Sequence, residues 1–153
     1  MPVNPGDFAK AKAAEKTMGN DNAAVAQVIG QVTMLVKSLH DYDAKIKKAL
    51  GAAPATVAGL SANAKKEMKA LDGNFIKWPG VSANSTKAIQ DVKVWADKIT
   101  KAAIAAKDPA ASQWAGKALI QANQGFAGLT QGKGAIAKYT PDYANFKKNK
   151  YFV

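Results

Sequence analysis

Residues 21–51, DNAAVAQVIGQVTMLVKSLHDYDAKIKKALG, decide the fold of this chain. Their apolar side chains recur at alternating steps of three and four residues, which is one face of an α-helix held for about seven turns. Asp21 or Asn22 caps the start, and Gly51 is typical of a helix end. The pattern predicts a long helix with a buried stripe, widened by Ile29 and Val36 and formed by Val25, Val28, Val32, Leu35, Leu39, Tyr42, Ile46 and Ala49.

The segments on either side of this helix carry the same kind of signal. Asn4-Pro5 predicts a helix start, because a capping side chain precedes proline at the first helical position. Gly19-Asn20 predicts the end of this short N-terminal helix. After Gly51, Pro54 opens the next helix and Asp72-Gly73 ends it. The expected buried face of that helix consists of Val57, Leu60, Ala64, Met68 and Leu71.

A polar and aromatic connector, NFIKWPGVSAN (residues 74–84), leads to two further predicted helices. Asn84 or Ser85 caps the first of them, and Asp108-Pro109 ends it and starts the second. The buried face of the first is expected to contain Ala88, Val92, Trp95, Ile99, Ala102 and Ala106. The face of the second is expected to contain Ala111, Ala115, Ala118, Ala122, Leu129 and Ile136, widened by Leu119 and Phe126.

Four amphipathic segments joined by short proline or glycine turns predict antiparallel neighbours. No stretch alternates with period two, so no sheet is expected. The predicted fold class is all-α: an up-and-down helical bundle of four main amphipathic helices, with a short N-terminal helix and an irregular aromatic C-terminal tail. Residues 1–138 are expected to form the bundle as a single domain, and residues 139–153 the tail.

Four glycines weaken the last predicted helix, namely Gly125, Gly128, Gly132 and Gly134. Each costs roughly 0.5–1 kcal/mol relative to alanine in a helix interior. The helix is therefore expected to bend or fray there. Two interpretations stay open: a hinge or tight helix crossing, and a loosely packed helix end.

All 22 basic side chains of the chain are lysines, set against 11 acidic ones, for a net charge of +11. Arginine grips phosphates and guanine edges with a planar fork, whereas lysine is a hydrated point charge. A protein selected to read nucleic-acid bases is therefore expected to contain arginine. The lysines either form a solvated surface over alanine-rich helices or attract a polyanion without base readout.

No catalytic or metal-binding constellation is evident in the sequence. Without cysteine, disulfides, zinc thiolate sites and cysteine nucleophiles are excluded. His40 is the only histidine, and Asp41 and Asp43, two residues apart, diverge on a helix and cannot act as paired acid and base. Residues 128–134 lack the spacing and the Ser or Thr of a phosphate-binding loop. We expect no enzyme activity, no cofactor and no metal, and no small-molecule substrate is evident.

The tripeptide Trp78-Pro79-Gly80 lies in the predicted connector between two helices. It resembles the turn of the WxG-type secreted helical hairpins, small proteins that leave the cell through specialised machinery without a cleavable signal. The resemblance covers three residues and implies a turn here and an exported protein. The Tyr-x-x-x-Asp/Glu tail signal of that family is missing, because Tyr143 stands four residues after Tyr139. The family is therefore not assigned, and the alternative is a tryptophan packed over a Pro-Gly turn.

The C-terminal stretch YTPDYANFKKNKYFV (residues 139–153) holds five of the twelve aromatic residues, interleaved with three lysines. Such a mixture is typical of a segment that docks on a protein, an anionic membrane edge or a nucleic acid. The alternative is a tail that folds back and covers the bundle. The candidate interaction residues are Tyr139, Tyr143, Phe146, Lys147, Lys148, Lys150, Tyr151 and Phe152, together with Trp78.

These features favour a non-catalytic interaction protein that binds a protein partner or itself as a homo-oligomer, in a secretion- or toxin-associated setting. The alternative is lysine-mediated binding of a polyanion, either nucleic acid or acidic membrane. A third hypothesis is a membrane-active bundle whose helices rearrange on a bilayer. The longest purely apolar run, residues 102–106, is far short of a membrane span. We expect a protein that is not integral to membranes, cytoplasmic or exported without a cleavable signal peptide.

Overall fold

Three long helices account for most of residues 3–153, the part of the chain that the computed structural model describes. Helix α1 spans Pro5–Ala52, α2 spans Val57–Ala106 and α3 spans Pro109–Lys147, with a 3₁₀ helix at Pro54–Thr56 between α1 and α2. No strand occurs in this range, so the all-α prediction is confirmed. The predicted number of helices is wrong, because two of the expected breaks are helical. No helix in these residues has the length and apolar character needed to cross a membrane.

Helix α1 joins the predicted N-terminal helix to the long helix that follows it. Asn4 caps it as predicted, since its Oδ1 accepts hydrogen bonds from the N–H groups of Gly6 (2.8 Å) and Asp7 (3.2 Å). The glycine at position 19 does not end the helix. It is exposed, whereas Met18 and Val25 on either side are buried on one continuous stripe. Burying one such side chain stabilises by roughly 1.5–3 kcal/mol, more than the roughly 1 kcal/mol that a helical glycine costs.

Helix α2 runs through residues 74–84, the predicted connector, with Pro79 inside it. The turn implied by the resemblance to WxG-type hairpins is therefore not present. Pro79 lies on the exposed side, where the helix loses one backbone hydrogen bond. The inner face continues past it through the buried side chains of Asn74 and Ser85 and the half-buried Trp78. Because two of these inner positions are polar, hydrophobic periodicity does not reveal that the helix continues.

Helix α3 continues to Lys147, beyond the predicted start of the tail at residue 139. The expectation of an irregular tail is therefore wrong for residues 139–147 and right only for the turns that follow. Pro141 lies inside the helix and is exposed, while Tyr143 is half-buried and Phe146 is buried on the inner face. These side chains continue the three-and-four spacing past the proline, so packing maintains the helix across it.

The chain forms two compact units by its internal contacts. Unit 1 contains the residues up to Ala26 together with Gly80–Gln131, and unit 2 contains Gln27–Pro79 together with Gly132–Val153. Each unit therefore takes one segment from each of the three long helices.

The core of unit 1 is built largely from alanine, as the stripes predict. Its apolar cluster contains Val3, Ala11, Ala96, Ile99, Ala103, Ala111 and Ala115. Phe8 packs edge-on against Trp114 with ring centroids 5.3 Å apart, beside this cluster. Leu119 and Phe126 do not widen the buried stripe as predicted, since they are 43% and 55% exposed. The alanine positions beside them fill the interhelical space, which leaves these larger side chains outside.

The core of unit 2 contains larger side chains. Its buried apolar residues are Val28, Val32, Leu35, Val36, Leu39, Ile46, Ala49, Ala64, Met68, Leu71, Phe146 and Phe152. Gly132 of α3 faces the indole of Trp78, and a Cβ built there would lie 2.9 Å from its Cη2 atom. By contrast, a Cβ at Gly134 would meet nothing within 4 Å. The tight-crossing interpretation of the glycines therefore holds at Gly132.

Candidate functional site

The C-terminal segment packs onto unit 2. Phe152 is 1% exposed and Phe146 is 5% exposed, and their ring centroids lie 5.5 Å apart. Phe146 also meets the ring of His40 edge-on, with centroids 4.9 Å apart. Buried aromatic side chains contribute a large part of the apolar area of a small core. The placement agrees with the interpretation in which the tail covers the bundle.

Hydrogen bonds tie the residues after Lys147 to two helices. The Ser61 hydroxyl of α2 donates to the backbone carbonyl of Tyr151 (2.6 Å). The Asn149 amide donates to Asp43 Oδ1 of α1 (3.2 Å), and Asn149 Oδ1 accepts from the Tyr151 N–H (3.0 Å). The segment is therefore anchored to both α1 and α2.

Tyr143 connects the last turns of α3 to α2. Its hydroxyl donates a hydrogen bond to Asp72 Oδ1, and its ring lies 4.1 Å from that of Phe75, centroid to centroid. Burial raises the pKa of Tyr143 above its ordinary value of 10.0, and the bond to the Asp72 carboxylate raises it further. Lys147, whose Nζ lies 4.2 Å from the ring centroid, acts in the opposite direction. The hydroxyl therefore stays protonated and serves as a donor.

All nine predicted interaction residues lie in unit 2, but they differ in accessibility. The two phenylalanines are buried, and Trp78 and the three tyrosines are half-buried. The lysines at 147, 148 and 150 are exposed, and Lys150 Nζ lies 5.1 Å from the ring centroid of Tyr151. Phe146 and Phe152 are therefore core residues, while the three lysines face the solvent.

Unit 2 has six further exposed lysines on the last turns of α1 and the first turns of α2, the helices that the C-terminal segment contacts. We call the whole set the lysine-rich end of unit 2: Lys45, Lys47, Lys48, Lys65, Lys66, Lys69, Lys147, Lys148 and Lys150.

Few of these charges are neutralised locally. Among residues 3–153, only Lys47 of the nine forms an ion pair, with Asp43 (2.8 Å). Two of the neighbouring acids contact other groups: Asp72 accepts a hydrogen bond from Tyr143, and Asp142 Oδ1 lies 2.7 Å from His40 Nε2. Eight ammonium groups of the lysine-rich end therefore form no ion pair with a carboxylate of residues 3–153.

The net charge is divided unequally between the two units. Unit 2 carries 13 lysines and five acidic side chains, whereas unit 1 carries nine lysines and six acidic side chains. Unit 2 therefore holds +8 of the net charge of +11. Such an asymmetry concentrates the attraction for anions on one part of the molecule.

Two open grooves with apolar linings lie among the lysines. The larger, with a volume of about 520 Å³, has Lys65, Lys66 and Lys69 beside the apolar side chains of Met68, Phe152 and Val153. The smaller, about 310 Å³, has Lys45 and Lys48 beside Ala49, Ala52, Ala53 and Leu60. The lysine-rich end thus combines cationic groups with apolar surface.

Sequence reasoning identified the lysines of the tail but missed those of α1 and α2. The runs KIKK (residues 45–48) and KKEMK (residues 65–69) are visible signals, yet each alone predicts only a solvated helix face. What makes them one surface is tertiary: the 3₁₀ turn brings the two helices together, and the C-terminal segment bonds to both.

Within residues 3–153, no three or more His, Cys, Asp or Glu side chains group in a way that could hold a metal ion. Comparisons of the chain with protein-family models, curated proteins and solved structures find no match.

Proposed function

We propose that this chain is a non-catalytic binding protein whose lysine-rich end binds a polyanion. The observation that carries the proposal is the cluster of eight exposed lysines without an ion-pair partner in unit 2. Like charges held close together repel each other, so a surface that keeps them unpaired costs stability. A bound polyanion removes that cost by placing negative charge among them.

The exclusive use of lysine supports electrostatic attraction of a polyanion without recognition of a base sequence. Lysine offers a mobile ammonium group and no planar fork, so it neutralises phosphate, sulfate or carboxylate groups as a point charge. Binding of this kind releases counterions from the polyanion, and this release becomes less favourable as the salt concentration rises. The affinity therefore falls steeply with salt.

Heparin affinity chromatography tests this proposal. The triple variant Lys65→Gln, Lys66→Gln, Lys69→Gln removes three charges at exposed helical positions, and glutamine has nearly the same helix propensity as lysine. We expect wild-type protein to bind heparin at low salt and the variant to elute at clearly lower salt.

The matched control is Lys10→Gln, Lys16→Gln, Lys117→Gln, which removes the same charge from exposed positions of unit 1. It should elute close to wild type. Equal losses in both triple variants would show that net charge, not the lysine-rich end, governs binding. Wild-type protein that fails to bind heparin at low salt would refute the proposal itself.

A protein partner or a second copy of the chain is the second candidate for what this protein binds. Three large apolar side chains of α3 in unit 1 favour it, since Leu119, Ile120 and Phe126 are 43%, 58% and 55% exposed. Contacts through these groups would persist or strengthen in high salt, unlike binding through lysine. Light scattering of wild type and Phe126→Ser tests the self-association form, and a monomer at all salt concentrations would eliminate it.

A further inference from the structure

We infer that the polyanion recognised by the lysine-rich end is the surface of an anionic membrane, whose lipid phosphates and carboxylates contact the lysines. The inference rests on the proposed function and narrows it to one class of ligand. It depends on three features of unit 2: apolar surface between the lysines, aromatic rings already engaged inside the fold, and the exclusive use of lysine.

Apolar surface is interleaved with the charges. In the larger groove, Met68 and Phe152 line the space beside Lys65, Lys66 and Lys69. Val153 lines the same groove and is 64% exposed. Met68 and Phe152 are 2% and 1% exposed, so the apolar surface that this groove presents to the solvent is mainly that of Val153. A bilayer interface offers anionic headgroups and apolar chain segments within a few ångströms of each other, so both parts of the groove gain a partner there.

Three of the five aromatic rings of the C-terminal segment are not free to stack on nucleic-acid bases. Phe146 and Phe152 are buried, and the ring of Tyr143 packs on that of Phe75. Single-stranded nucleic-acid binding gains much of its affinity from bases stacked on accessible aromatic faces. Because those three rings are covered and the chain has no arginine to read base edges, these contacts favour a membrane over a nucleic acid.

Lysine suits a lipid surface. The long aliphatic stem of a lysine can lie along apolar surface while its ammonium group reaches a phosphate. One lysine can therefore contact both the apolar chains and the headgroups of a bilayer. The exposed lysines of the larger groove line it together with apolar residues. Half-buried Tyr151, with Lys150 Nζ 5.1 Å from its ring centroid, adds an amphipathic side chain of the type enriched at membrane interfaces.

Vesicle sedimentation tests the inference with the full chain. Wild-type protein should sediment at physiological salt with vesicles of phosphatidylcholine and phosphatidylserine and stay in the supernatant with phosphatidylcholine alone. The triple variant Lys65→Gln, Lys66→Gln, Lys69→Gln should bind the anionic vesicles about a hundredfold more weakly. The triple control in unit 1, at Lys10, Lys16 and Lys117, should bind as wild type does.

A second pair of variants tests the apolar contribution. Val153→Ser removes an exposed apolar group that lines the larger groove, and Val94→Ser removes one of similar exposure (67% against 64%) in unit 1. Val153→Ser should weaken vesicle binding several-fold and leave heparin binding unchanged. Val94→Ser should alter neither. Equal vesicle binding by both variants would show that apolar contact plays no part and would overturn the inference.

Two further outcomes separate this inference from the proposed function. Protein that binds heparin but no anionic vesicle, or that prefers duplex DNA to vesicles at equal phosphate concentration and salt, has a polyanion partner that is not a membrane. That result overturns the inference and leaves the proposed function standing. Protein that binds none of the three refutes both.

Discussion

At the scale of single residues, Tyr143 links packing to charge. Its ring packs on Phe75, and its hydroxyl donates a hydrogen bond to the Asp72 carboxylate. That carboxylate lies among the lysines of the larger groove, and the hydrogen bond gives it a partner other than a lysine. The sequence marked Tyr143 as a candidate interaction residue, but not its role. From the sequence alone, a tyrosine beside lysines is equally consistent with a ring that docks on a partner and with one that packs on the adjacent helix.

The raised pKa of Tyr143 predicts how stability depends on pH. Because the fold disfavours the tyrosinate, the contribution of the Tyr143–Asp72 contact is complete below pH 10.0, the ordinary pKa. It is lost as the pH rises through the raised pKa of the folded state. Tyr143→Phe should cost about 0.5–1.5 kcal/mol near neutral pH, by loss of one hydrogen bond.

Urea unfolding of wild type and Tyr143→Phe between pH 7 and about pH 11 measures this dependence. The difference in unfolding free energy between the two proteins should shrink as the pH passes above 10.0. Titration of the lysines affects both proteins alike, so it cancels in the comparison. A difference that stays constant over this range would show that the hydroxyl does not hold Asp72 in the fold.

At the scale of the helices, local breakers proved weaker than the buried stripe. The stripe of residues 25–49 is visible in the sequence, and all of its predicted members are buried or half-buried. The helix ends predicted at Gly19, at Asp72-Gly73 and before residue 139 are absent from the structure. Pro79 and Pro141 lie inside helices. Each breaker costs roughly 1–3 kcal/mol, and several buried side chains beyond it offset that cost. The continuation past Pro79 was hidden because it passes through Asn74 and Ser85.

Two glycines of α3 test the tight crossing directly. Gly134→Ala should stabilise the protein by roughly 0.5–1 kcal/mol, since the added methyl meets nothing and alanine favours the helix. Gly132→Ala should instead destabilise it by about 1 kcal/mol, because the methyl displaces the indole of Trp78 at a cost that exceeds the gain in propensity.

Thermal unfolding of the two variants measures the contrast, and each serves as the control for the other. The expected order of melting temperature is Gly134→Ala, wild type, Gly132→Ala. Equal stabilisation by both substitutions would mean that Trp78 does not pack against α3 at Gly132.

At the scale of the whole molecule, charge distinguishes the two units. Composition shows a cationic, cysteine-free chain, and the helical stripes predicted the all-α fold class, which the structure confirms. The division of charge into +8 for unit 2 and +3 for unit 1 could not be predicted from the sequence. It depends on which helical segments pack together, and the tail's lysines join those of α1 and α2 only through bonds such as Ser61 to Tyr151.

Lysine acetylation with mass-spectrometric mapping, in the presence and absence of saturating heparin, tests the central claim most directly. It reads every lysine of the wild-type chain without substitution. The account predicts that heparin protects Lys65, Lys66 and Lys69, and with them the exposed lysines of the C-terminal segment. Lys10, Lys16 and Lys117 of unit 1 should react at unchanged rates. Uniform protection along the chain, or stronger protection in unit 1, would contradict the assignment of the binding surface to the lysine-rich end.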